Sequence, residues 1–82
     1  MSKQTYFVAL PFVAGARGKL SEGEPVMAAS ASQAIRTAER MQERYAGAVA
    51  FSRACDPDLG EYEDAVILLV VGQVPAGEAE AA

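Results

Sequence analysis

At 82 residues the chain has room for one domain with a small core, and a hydrophobic content of 51% excludes a disordered polymer, although 17 of those residues are alanine. The net charge of −4 argues against a general polyanion binder, and the absence of histidine removes the commonest general base near neutral pH and the commonest transition-metal ligand. The single cysteine, Cys55, has no internal disulfide partner, which fits a reducing, cytoplasmic setting.

Residues 5–14 read as a long strand that is apolar on both sides. Tyr6, Val8, Leu10 and Phe12 alternate with Phe7, Ala9 and Val13. Pro11 cannot donate a ladder hydrogen bond, so it marks an edge position or a bulge. Lys3, the apolar run and Ala14-Gly15-Ala16 loosely imitate a secretory signal. Cleavage there would remove much of a small core, so the segment is expected to be a retained strand. A glycine-bearing loop over 15–23 leads to a shorter strand over 24–28.

The spacing predicts one amphipathic helix over 30–46. Ser30 and Gln33 form a capping box, in which each side chain satisfies a backbone N–H at the helix start. Ala31, Ala34, Ile35, Ala38, Met41 and Tyr45 then follow the 3.6-residue period as one apolar stripe, and Gly47 supplies a stop. A third strand is expected over 48–54 and a proline–aspartate–glycine turn over 56–60. A last strand over 65–71 is again apolar on both sides, with Val66, Leu68 and Val70 alternating with Ile67, Leu69 and Val71.

The expected fold is α+β in the order β-β-α-β-β: a four-stranded, mainly antiparallel sheet with the helix packed on one face. Residues 1–74 make the domain and 75–82 a flexible tail. An all-antiparallel sheet puts the last strand at an edge, in the order 2-1-3-4. The order 2-1-4-3 would bury that strand but needs parallel pairing, and the first is favoured.

Few patterns suggest chemistry. Asp56, Asp58 and Gly60 invite a calcium reading, but an EF-hand needs its glycine at position six and a glutamate at position twelve. Counted from Asp56, the glycine falls at position five and Ile67 at position twelve. An acidic hairpin turn is the better reading, and no metal or other cofactor is expected. Cys55 beside Arg53 has no histidine to act as its base, so it reads as a small buried hydrophobe. No glycine pattern completes a phosphate cradle. No catalytic residue is assigned, and the chain is read as a non-enzyme.

Two surfaces remain. Arg36, Arg40 and Arg44 repeat at four-residue intervals along one helical edge, and with Arg17 and Lys19 of the first loop they form a candidate site for a polyanion or an acidic partner. The bases all lie in residues 1–53 and the segment 54–82 carries seven acids and no base, so the charge is uneven enough to allow head-to-tail attraction between copies. The second surface is self-association through the sheet face that one helix cannot cover, using Val66, Ile67, Leu68, Leu69, Val70, Val71, Phe7 and Val13. The expectation is therefore a non-enzymatic interaction or accessory protein that acts as a homodimer, without membrane insertion. A nucleic-acid-binding module on the arginine edge and a binder of small apolar ligands are the alternatives.

Overall fold

The computed structural model describes residues 4–56 and 58–75; apart from residue 75, the predicted tail lies outside them. The described residues form strands β1 (Gln4–Ala14), β2 (Leu20–Glu22), β3 (Val26–Ala28), β4 (Gly47–Asp56), β5 (Glu61–Tyr62) and β6 (Val66–Gly72), with one helix, α1 (Ala31–Met41), between β3 and β4. The protein is α+β, and its sheet is antiparallel at every pairing.

β1 and β4 form the centre, aligned from Gln4 opposite Cys55 to Phe12 opposite Gly47. β2 and β3 both lie along the other side of β1, and β5 and β6 both lie along the other side of β4. Merging each collinear pair recovers four ribbons in the order 2-1-3-4, so the sheet differs from expectation in strand count more than in layout.

The break between β2 and β3 has a cause in the sequence. Phe12 pairs with Glu22 and Ala9 with Val26, so residues 23–25 bulge opposite Leu10 and Pro11. The Pro11 carbonyl accepts a hydrogen bond from the Gly23 amide at 2.8 Å. Its backbone therefore faces the broken neighbour, where the missing proline donor leaves no ladder position empty. That is how a proline sits inside a central strand.

The helix is shorter than predicted. The Ser30 hydroxyl accepts from the Gln33 amide at 3.2 Å, while the Gln33 side-chain oxygen accepts from the Ala29 amide at 2.7 Å, one residue further back than a standard capping box. Regular helix ends at Met41, and residues through Tyr45 continue as tight turns bonded to Arg40 and Met41 carbonyls. Gly47 is not the stop. It is the first residue of β4, and a Cβ there would overlap the Gln73 backbone. Close approach of two strand ends, and not helix termination, demands the glycine.

The helix packs through the middle of its predicted stripe, whereas Tyr45, in the turn beyond the helix, is exposed. Ala34, Ala38 and Met41 bury against Ala9, Ala48 and Ala50, with Phe7, Ile35, Leu68, Leu69 and Val71 around them. Alanines on both sides let helix and sheet approach closely. A bulge in β6 explains how its unbroken apolar run is used. Phe51 pairs with Ile67 and Ala50 with Leu69, so Leu68 is an extra residue and joins Leu69 on the helix side.

The opposite face is curled. Leu10, Phe12 and Val49 form a second cluster there, flanked by Phe51, Ile67 and Val74. Phe12 is 1% exposed and Val49 2%, although among the described residues no helix covers them. Curvature of the sheet, with Val74 laid across it, shelters much of the surface that a flat sheet would leave in water.

Candidate binding surfaces

The residues predicted for self-association do not share one surface. Phe7, Leu68, Leu69 and Val71 pack against the helix-side core. Ile67 turns to the curled face. Val13, Val66 and Val70 are exposed, Val66 by 58%. The eight residues thus fall on two faces of the sheet, and the solvent-facing members concentrate on β6.

β6 is also a sheet edge. It pairs with β4 alone, and among the described residues nothing pairs with its outer side. Such an edge presents unpaired backbone donors and acceptors, which monomeric proteins blunt with charges, prolines or interruptions. The opposite edge carries these devices: it is broken at residues 23–25 and holds Glu22, Glu24 and Pro25. β6 reads Val-Ile-Leu-Leu-Val-Val-Gly, with neither charge nor proline, and only the Leu68 bulge interrupts it.

The curled face holds a cleft of about 420 Å3. Val8, Leu10, Val49 and Phe51 line it from the two central strands, Met27 from one side and Ile67 from the other. Two charged residues also reach it, Arg53 and Glu22.

The basic candidates are exposed and lie on three segments. Arg36 and Arg40 lie on α1, whereas Arg44 falls in the turn after it, because the helix ends three residues earlier. Arg17 and Lys19 lie in the hairpin between β1 and β2, where Arg17 has a φ of 64°, a left-handed conformation that side chains other than glycine seldom adopt. The hairpin leaves the same end of the sheet as the end of the helix, since the Ala46 amide bonds to the Phe12 carbonyl two residues before Ala14 pairs with Leu20.

The acidic hairpin uses its first carboxylate internally. Asp56 Oδ1 accepts from the Asp58 amide at 3.1 Å and from the Leu59 amide at 3.4 Å, and Gly60 takes a φ of 67°, as its turn requires. Among the described residues no three acidic or cysteine side chains converge as a metal cage. Cys55 is buried at the end of β4. Its contact with Tyr6, first by side-chain hydrogen bonding and then by charge repulsion, pushes the Tyr6 phenol above its ordinary range. No described helix is long and apolar enough to cross a membrane.

The cleft was the site that sequence reasoning missed. Its lining comes from residues as distant as Val8 and Ile67, which only the sheet brings together. One local signal existed: Val49, Phe51, Arg53 and Cys55 alternate along one strand, so an arginine stands within an otherwise apolar row. No protein-family model, curated protein or solved structure matches this chain.

Proposed function

We propose that this is a non-enzymatic interaction or accessory protein that acts as a homodimer, joined through β6. The observation that carries this reading is the state of that strand: an apolar, uncharged sheet edge with Val66 and Val70 exposed. A second copy of β6, run antiparallel, would satisfy the outer backbone groups and bury the valines in a two-fold interface. The curled face contributes less than a flat sheet would, because it shelters its own floor. The lack of histidine and of any catalytic constellation in the sequence supports the non-enzymatic part.

Light scattering tests the reading. At hundred-micromolar concentration the native chain is expected near twice its 8.6 kDa mass. Val66→Lys and Val70→Lys place charges on side chains already exposed in one chain, so each variant should fold, and both should shift the mass toward the monomer. A monomeric native protein would overturn the proposal. A salt-sensitive affinity for RNA with no self-association would favour the arginine edge instead.

A further inference from the structure

We infer that the cleft on the curled face is a binding site for a small single-chain amphipathic carboxylate, with Arg53 holding the carboxylate and the apolar body lying over Val49 and Phe51. The site does not depend on self-association, since an edge pairing through β6 leaves this face open.

The cleft measures about 420 Å3, inside the range of small-molecule sites. At roughly 30 Å3 for each water-sized unit of liquid it holds about fourteen such units, enough for a chain of about ten carbons and its head group. The walls are mostly apolar, and Val8, Leu10 and Val49 form a floor that is 9% exposed or less. A floor already buried from bulk solvent gives an apolar chain contacts on several sides at little ordering cost to the protein.

Charge sets the orientation. Val49, Phe51 and Arg53 are alternate residues of β4, and Arg53 is the last of that row to line the cleft, since Cys55, next on the same face, is buried outside it. Guanidinium groups bind carboxylates in a planar, two-point geometry that few other side chains match. Glu22 lies toward the other end. Arg53 pairs across β1 with Tyr6, whereas Glu22 pairs with Phe12. Six residues of extended strand separate those positions, roughly 20 Å. Within the cleft lining, Arg53 therefore draws an anionic head to one end by direct contact and Glu22 repels it from the other. The acidic Asp56, Glu61, Glu63 and Asp64 and the basic Arg17 and Lys19 lie beyond the two ends and outside the lining. A second carboxylate at the far end of the ligand would lie on apolar floor or near Glu22, with no cation among the described lining residues there to meet it. The specificity is for a monocarboxylate.

Three ten-carbon probes test this by methyl NMR: decanoate, decanol and decanedioate. The expected result is saturable shifts of the Val8, Val49 and Ile67 methyls with decanoate, and binding of decanedioate weaker by about tenfold or more. Arg53 is exposed, so Arg53→Gln should keep the native spectrum, weaken decanoate by about tenfold and leave decanol within about twofold. Arg53→Lys should recover part of the loss. The inference is overturned if millimolar decanoate leaves those methyls unmoved, or if Arg53→Gln changes decanoate and decanol equally. Molar mass measured on the same samples reports on the dimer independently of ligand binding.

Discussion

At the scale of single residues, the most constrained positions are small. Gly47 faces Gly72 across the β4–β6 pair, and each would drive a Cβ into backbone of the opposing segment. Gly72 also has a φ of 66°, which costs other residues about 1–2 kcal/mol. Backbone cannot yield as a flexible side chain can, so Gly47→Ala should destabilise the fold by about 3 kcal/mol or more, read as a lower denaturant midpoint at unchanged slope. Gly47 was visible in the sequence, but its reason was not, because the Gln73 backbone it admits lies 26 positions away. The Tyr6–Cys55 contact is equally long-range. Because the Tyr6 phenol is raised, the folded chain holds that proton more tightly than the unfolded chain does. Its stabilising effect is present below the ordinary value of 10.0 and is lost as pH climbs through the raised one. Cys55→Ala should move the Tyr6 phenolate absorbance transition to lower pH. No movement would mean that the thiol is not the cause.

Among the elements, the helix was the most legible, because cap and stripe are both local. Ser30→Ala removes the acceptor for the Gln33 amide and should cost about 1 kcal/mol. Met41 is 8% exposed whereas Ile35 is only half-buried, so Met41→Ala should cost about 2–5 kcal/mol and Ile35→Ala clearly less. Equal losses at the two positions would place the stripe incorrectly on the sheet. The strands were legible as apolar runs but not in their use. Doubly apolar β1 and β6 promised a wide bare face, and two long-range effects narrowed it. Curvature sheltered Val8, Leu10 and Phe12, and the Leu68 bulge turned two consecutive leucines to the same side. Neither effect has a signature within one strand. The division of the second ribbon into β2 and β3 follows the same logic, since it is set by where Pro11 stands on the neighbouring strand.

For the whole molecule, charge and topology combine. The structure extends 45 × 22 × 18 Å. The β1–β2 hairpin bears Arg17 and Lys19 at one end of the sheet. Asp56, Glu61, Glu63 and Asp64 lie at the other, where β5 pairs with the last residues of β4. The charge split was plain in the sequence, but its separation in space comes from the register of β1 on β4. Under the proposed dimer the separation has a measurable consequence. β6 runs from the acidic end at Val66 to the basic end at Gly72, so antiparallel pairing sets the acidic end of each copy beside the basic end of its partner. Exposed charges at such distances are screened by salt, with a Debye length of about 30 Å at 0.01 M and about 3 Å at 1 M. Added salt should therefore loosen the dimer, with the dissociation constant rising several-fold as sodium chloride is increased across that range. A parallel arrangement would juxtapose the acidic ends and make the dimer tighter with added salt. The sign of the salt dependence, measured by sedimentation equilibrium, thus discriminates the antiparallel pairing of β6 from its parallel alternative.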